Sequence, residues 1–153
     1  MGSLTDMIGD LKVIINKATA KTRSDEEIMS FSLLVERNAR SYPNDSAILF
    51  EEKVLSWNEL NEQSNRIANY LKSLGISSGD CVSLFMQNRI EFVVNVVAIC
   101  KLGAIAGLIN TNLTKQPLIH CINLVESEKC IFGSELSDAL EEVLDDLRLE
   151  DKL

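Results

Sequence analysis

Leu4, Met7, Ile8, Leu11, Ile14, Ile15 and Ala18 recur at spacings of three and four, with Asp6, Asp10, Lys12 and Lys17 between them. That spacing predicts an amphipathic helix over residues 1–20, with one apolar stripe and one polar side. The polar connector from Thr19 to Asp25 follows, and Ser24 or Asp25 can cap a second helix running through Phe31, Leu34, Val35 and Ala39 to Tyr42, ended by Pro43. The short β-prone runs Ala47 to Phe50 and Val54 to Trp57 flank Glu51, Glu52 and Lys53, which reads as a hairpin. Ser56 and Glu59 then form an S-x-x-E capping box. Leu60, Ile67, Leu71 and Leu74 continue at helical spacing, and Gly75 stands where a left-handed C-cap is needed.

The pattern changes after the turn at Ser77 to Asp80. Cys81 to Met86 carries no charge and predicts a strand buried on both faces; Glu91 to Leu102 predicts an apolar helix stopped by Gly103; Ala104 to Ile109 predicts a second buried strand. Thr114 begins a further helix with Pro117 in its first turn, Lys129 to Phe132 is a third short strand, and Ser134 caps a final acidic helix over 135–151. Strand, helix and strand in alternation imply an α/β fold, a partial parallel sheet flanked by helices and joined by right-handed crossovers. Ligands are expected in the crevice beyond the carboxyl ends of the strands. The chain thus divides into the amphipathic helix of 1–20 and one α/β unit over 26–150.

Composition narrows the function classes. A chain of 153 residues with 46% hydrophobic and 25% charged residues is one globular domain by size and composition, not a disordered chain. The formal charge of −8 excludes a nucleic-acid partner, because such affinity rests on neutralising phosphates with Lys and Arg. The charge is concentrated: Glu135 to Leu153 carries eight acidic residues against Arg148 and Lys152, so the rest is close to neutral. Cys81, Cys100, Cys121 and Cys130 make no C-x-x-C pair and have only His120 as an imidazole companion, so no zinc site is legible and the thiols read as small buried hydrophobes in a reducing compartment. Asp6, Asp10 and Lys12 interrupt any apolar secretory run, which places the chain in the cytoplasm. The N-terminal stripe is expected against the body. Its alternative is a peripheral membrane contact, which the mixed charge of the polar side disfavours.

Few residues suggest chemistry by themselves. The seven glycines never cluster into a phosphate loop; Gly103 and Gly107 read as a helix stop and a close-packed strand position. His120 and Cys121 look like a base and a nucleophile, but adjacent helical residues point ~100° apart, so imidazole and thiol face different sides. Glu51 with Glu52, Glu141 with Glu142 and Asp145 with Asp146 sit in turns or on a like-charged helix face, where nothing raises a carboxyl pKa into a useful range. Trp57 reads as packing. No catalytic, cofactor-binding or metal-binding residue is named from these observations.

A resemblance goes further. Val54-Leu55-Ser56-Trp57-Asn58-Glu59-Leu60, then Ser64-Asn65-Arg66-Ile67-Ala68, Leu74-Gly75-Ile76, Gly79-Asp80, Asn88, Glu91-Phe92 and Lys101-Leu102-Gly103-Ala104 resemble, in order and spacing, the opening third of AMP-forming acyl-CoA synthetases. Leu108-Ile109-Asn110-Thr111-Asn112-Leu113, with Leu118 to Cys121 after it, resembles the long-chain and very-long-chain fatty acyl branch called fatty acid transport proteins. The resemblance covers roughly Met29 to Leu144 and departs from the branch at Thr114, where an Arg is common, and in the amphipathic Leu4 to Ala18 stretch, where animal members carry a membrane span. It implies a parent that activates a long-chain fatty acid with ATP and Mg²⁺ to acyl-AMP and passes the acyl group to CoA. The phosphate loop, ribose-binding Asp and catalytic Lys of that family lie beyond the matched segment. The resemblance therefore implies an N-terminal fragment that binds no cofactor, is inactive alone and self-associates through uncovered apolar surface. The alternative is a free-standing lipid- or protein-binding module that keeps the fold without the catalytic half.

Overall fold

A computed structural model describes residues 30–150; the amphipathic stretch of 1–20, and Ser24 and Asp25, lie outside the described residues. Helix α1 (Phe31–Ser41) is capped by Ser30, whose hydroxyl accepts the Leu33 N–H at 3.2 Å. Ser30, rather than Ser24 or Asp25, is therefore the cap: both are good capping types, but it is Ser30 that stands in extended backbone just before the apolar periodicity of Val35 and Ala39.

Strands β1 (Ser46–Phe50) and β2 (Lys53–Ser56) form the expected antiparallel hairpin, with Leu49 opposite Val54 and a register shift between Ser46 and Ile48. Helix α2 (Trp57–Ser73) begins with the full capping box: Glu59 N–H donates to the Ser56 hydroxyl at 3.3 Å, and Ser56 N–H donates to the Glu59 carboxylate at 2.8 Å. At its end Gly75 adopts φ +93°, Gly75 N–H donates to Lys72 O, and Ile76 N–H donates to Leu71 O. This is a Schellman closure with the apolar pair Leu71 and Ile76 beneath it.

The same device recurs. Strand β3 (Cys81–Phe85) leads to helix α3 (Ile90–Lys101), which ends at Gly103 with φ +70°, where Gly103 N–H donates to Cys100 O and Ala104 N–H to Ile99 O. Strand β4 (Ile105–Leu108), helix α4 (Lys115–Leu124) and strand β5 (Lys129–Phe132) follow. β3 lies between β4 and β5, parallel to both, with Val82 beside Ala106 and Lys129.

Period-two alternation along β3 sends side chains to two cores. Val82 packs with Leu71, Ile76, Ile99 and Ala104 on the α2 and α3 side. Phe85 packs with Leu118, Ile122, Leu140 and Val143 on the side of α4 and the C-terminal turns. A third cluster, with Val35, Leu55, Leu60, Val94 and Val97, joins α1 and the hairpin to α2 and α3; Trp57 packs at its margin. Lys101, nearly buried, binds Glu36 on α1 at 2.8 Å and Asn61 on α2 at 2.9 Å, so one ammonium ties three helices together.

Two expectations are corrected. β4 is an edge strand rather than one buried on both faces: Ile105 and Leu108 are 57% and 58% exposed, because among the described residues only β3 flanks β4. The acidic C-terminal helix is broken into a 3-10 turn (Ser134–Leu136), the short helix α5 (Ser137–Glu141) and a second 3-10 turn (Leu144–Asp146). Ser134 lies inside the first turn, and Gly133 occupies the capping position without a side-chain bond. Eight acidic residues in that stretch repel one another along a helix, while Leu140, Val143 and Leu147 are buried by turns that follow the sheet surface.

The two glycine closures differ in what surrounds them. A Cβ on Gly75 meets nothing, whereas one on Gly103 lies 2.8 Å from the Ser78 hydroxyl. Gly75→Ala is expected to cost about 1 kcal/mol through its positive φ alone, and Gly103→Ala about 2 kcal/mol because the Ser78 contact adds to the strain. Urea midpoints at unchanged slope check both; equal costs would contradict the second.

Candidate functional site

The three parallel strands all end on one side of the molecule, and their exits diverge. The chain leaving β3 crosses to α3 on one face of the sheet, while the chains leaving β4 and β5 go to the opposite face. The β3 exit is therefore flanked by two gaps, the crevice geometry in which open α/β sheets bind ligands. One is an open cleft of about 600 Å³ between the ends of β3 and β4. The other, between β3 and β5, is bridged by Glu135.

The floor of the cleft is apolar, with Met86, Phe92, Leu108 and Ile109, and its rim carries the neutral groups of Gln87, Asn88, Asn110 and Thr111. The walls are held by the ladder: Ile109 N–H donates to Leu84 O at 3.0 Å, and the Asn110 side chain accepts the Asn112 N–H at 3.0 Å, which fixes the turn after β4. Among the described residues no ionisable side chain lines this space. The rim can orient a polar, uncharged group by amide and hydroxyl hydrogen bonds over an apolar contact surface. It holds no general acid, base or cation that could neutralise a triphosphate.

A charged pair spans the other gap. Arg89 Nη1 lies 3.1 Å from Glu135, and Glu135 accepts the Gln87 N–H at 3.2 Å, so the exits of β3 and β5 are latched together. Gly133 makes room for this: a Cβ there would run into the Glu135 carboxylate. Arg89 Nε is buried without a hydrogen bond, with the Glu91 carboxylate at 3.5 Å as a charge contact only. The Glu135 carboxyl is held below its ordinary value of 4.5, first by its own backbone N–H, with desolvation opposing, then by the Gln87 N–H and the Arg89 charge.

The residues singled out in the sequence fall into place. His120 is exposed and Cys121 packs half-buried against the core around Phe85, so they face apart as expected. Glu51 and Glu52, Glu141 and Glu142, and Asp145 and Asp146 are all exposed. Gly107 is close-packed, with a Cβ there 3.2 Å from the Cys81 sulfur. Burial pushes the Cys130 thiol up to about 12, and those of Cys81 and Cys100 also upward, as inert structural thiols require. Among the described residues no group of three His, Cys, Asp or Glu could hold a metal ion, and no helix is long and apolar enough to cross a membrane. The pairing of Arg89 with Glu135 is not legible in the sequence; nothing local links residues 46 positions apart. By contrast Asn88, Phe92, Asn110 and Thr111, which belong to two separate motifs, converge on one cleft.

The profile of the AMP-binding enzyme family matches residues 35–152. Mouse long-chain fatty acid transport protein 1 is 33% identical over 111 residues, which is 71% of this chain and 17% of that protein. The crystal structure of the anthranilate CoA ligase AuaEII in complex with anthranoyl-AMP superposes with a TM-score of 0.77 at 26% identity, over 84% of this chain and 26% of the ligase. A Mycobacterium tuberculosis fatty acyl CoA synthetase superposes with a TM-score of 0.70 at 27% identity, over 74% of this chain and 23% of the synthetase. The chain thus spans less than a fifth of the length of the transport protein it matches.

The latch has a pH signature. A carboxyl with a depressed folded pKa contributes stability that is fully present above its unfolded value and lost as pH falls through the folded value. Wild type and Glu135→Gln are therefore expected to differ in urea midpoint above pH 4.5 and to converge as Glu135 protonates at lower pH. A difference that stays constant with pH would contradict the latch.

Proposed function

The chain belongs to the AMP-binding enzyme family, and we propose that it serves as the N-terminal subdomain of a long-chain fatty acid-CoA ligase, forming one wall of the cleft for acyl group and nucleotide. Its fold matches the N-terminal subdomain of acyl-adenylating enzymes, and the family implies the use of ATP. The fatty acyl class is our reading, and the likeness to a long-chain fatty acid transport protein supports it. The observation that carries the proposal is the convergence of Asn88, Phe92, Asn110 and Thr111 on the open cleft beside β3. Two stretches of motif, separated in sequence, supply one polar rim over one apolar floor.

The cleft also sets what this wall does. Its amides and hydroxyl position uncharged parts of the ligand, and its floor excludes water from them. It does not fit the triphosphate or Mg²⁺, since it offers neither cations nor a set of carboxylates. Those groups, and CoA, are held by the rest of the longer enzyme in this proposal, and the described residues hold and orient one side of the substrate only. In this reading the enzyme works in the reducing cytoplasm, which the free thiols of Cys81, Cys100, Cys121 and Cys130 support.

The chain alone is expected to release no pyrophosphate from ATP, Mg²⁺ and palmitate. In a chimera where residues 30–150 replace the matched stretch of the M. tuberculosis fatty acyl CoA synthetase, palmitoyl-CoA formation is expected to persist. Asn110→Leu in that chimera is expected to lower kcat/KM roughly 10-fold, the worth of one lost hydrogen bond. A folded chimera without activity, or turnover by the chain alone, contradicts the proposal. Saturable palmitate binding by the chain without ATP favours the binding-module reading instead.

A further inference from the structure

The end of β3 is tethered by a side chain where the sheet ladder stops. On the β4 side the ladder closes with Ile109 N–H donating to Leu84 O at 3.0 Å, and on the β5 side with Gly133 N–H donating to Phe85 O at 2.9 Å. The next β3 group turned toward β5 is Gln87 N–H, two residues past Phe85. At Gly133, however, the chain leaves the strand for the 3-10 turn, and Gly133 O accepts Leu136 N–H. The Glu135 carboxylate stands in for the missing rung. Its Oε1 accepts Gln87 N–H at 3.2 Å and its Oε2 faces Arg89 Nη1 at 3.1 Å, so both oxygens are engaged and the carboxylate has one orientation. Helix α3 starts only at Ile90, and Arg89 at its N-cap makes no side-chain capping bond. Among the described residues, Glu135 thus supplies the hydrogen bond that fixes Gln87 and Asn88 between strand and helix.

We propose that Glu135 is a positioning residue for the cleft on the far side of β3, acting through the Gln87 backbone to hold Gln87 and Asn88 on the rim, with Gly133 admitting its carboxylate. The proposal rests on the reading of that cleft as a substrate wall. Two observations carry it. First, the two sides of the rim are supported differently. On the β4 side, Asn110 fixes its own turn by accepting the Asn112 N–H at 3.0 Å. On the β3 side, the support of Gln87 and Asn88 comes from a residue 48 positions away in the sequence. Second, Gly133 has φ −80° and ψ 139°, which any residue adopts, so the backbone does not demand a glycine there. What excludes a side chain is the latch: a Cβ on Gly133 would lie 2.5 Å from the Glu135 carboxyl carbon. The carboxylate is the mobile end of its side chain, so a methyl group would push it off Gln87 and Arg89 rather than break the strand. A rim that orients a ligand by hydrogen bonds must itself be held still, and one carboxylate in the β5 gap does this for the cleft in the β4 gap.

Glu135→Ala removes the carboxylate, and Gly133→Ala displaces it while leaving every group of the latch in the chain. In amide NMR spectra of the full chain, both are expected to shift the backbone resonance of Gln87 and the side-chain amide resonances of Gln87 and Asn88 in the same direction. The side-chain amide of Asn110 and the backbone amides of β3 should stay in place, which shows that the fold is kept. Gln87 N–H should exchange with solvent at least ~10-fold faster in both. In the chimera that forms palmitoyl-CoA, assayed well below the melting temperature of every variant, each substitution is expected to lower kcat/KM roughly 10-fold. The double substitution should cost no more than Glu135→Ala alone, since Gly133 acts only through Glu135. Rim resonances that stay in place in Glu135→Ala overturn the proposal. So does an active chimera in which Glu135→Ala keeps the parent kcat/KM, and so do losses that add in the double substitution, which mean that the two residues serve the fold separately. A folded but inactive unsubstituted chimera defeats the reading of the cleft instead, and the resonances of Gln87 and Asn88 in the full chain then still decide whether Glu135 fixes the rim.

Discussion

Everything else in the molecule is arranged around the burial of β3. Its five residues, Cys81 to Phe85, carry no charge, and Val82, Leu84 and Phe85 are wholly buried. Each large apolar side chain so buried contributes about 1.5–3 kcal/mol, and the strand obtains this only if both faces of the sheet are covered. The polar residue in the run, Ser83, is satisfied by a hydrogen bond to the buried Ser127 hydroxyl at 2.5 Å. α2 and α3 must therefore lie on one face, and α4 with the C-terminal turns on the other. The strand exits diverge as a consequence. The cleft beside Asn88 and Asn110, and the Glu135 latch on the other side of β3, are both products of that divergence.

Much of this was legible because the signals are local. The Ser56 and Glu59 box, the left-handed closures at Gly75 and Gly103, Pro117 in the first turn of α4 and the strand from Lys129 to Phe132 each depend on residues within one turn of one another. The parallel order of the three strands was legible at one remove, since a strand followed by a helix and another strand permits little else. What the sequence did not disclose depends on neighbours. Ala104 to Ile109 has the composition of a buried strand, yet it lies at the sheet edge because no further strand in the described residues pairs with it. The C-terminal acidic run has helical spacing, but its own charge and the curved surface beneath it favour turns. The Arg89 and Glu135 pair is created by the sheet order alone.

The cleft beside β3 and a second groove along β5 differ in chemistry. The cleft has a neutral polar rim built from residues of the family motifs, and it is one-sided: its floor is complete, but nothing among its lining residues can hold charge. The groove along β5 is lined mostly by apolar side chains, among them Leu74, Phe132, Leu140 and Leu144, but Lys129, Ser137, Glu141 and Glu150 line it too. Both are surfaces that a three-stranded sheet cannot close for itself. The chain spans less than a fifth of the length of mouse long-chain fatty acid transport protein 1.

Native-state hydrogen exchange across residues 30–150 tests the primacy of β3 most directly. If β3 is the element on which the two cores depend, the amides of Val82, Ser83, Leu84 and Phe85 exchange only through global unfolding, with the slowest rates in the chain, while the β1 and β2 hairpin and the C-terminal turns open at lower free energy. Slowest exchange in α2 or the hairpin, with β3 opening before them, would contradict the account.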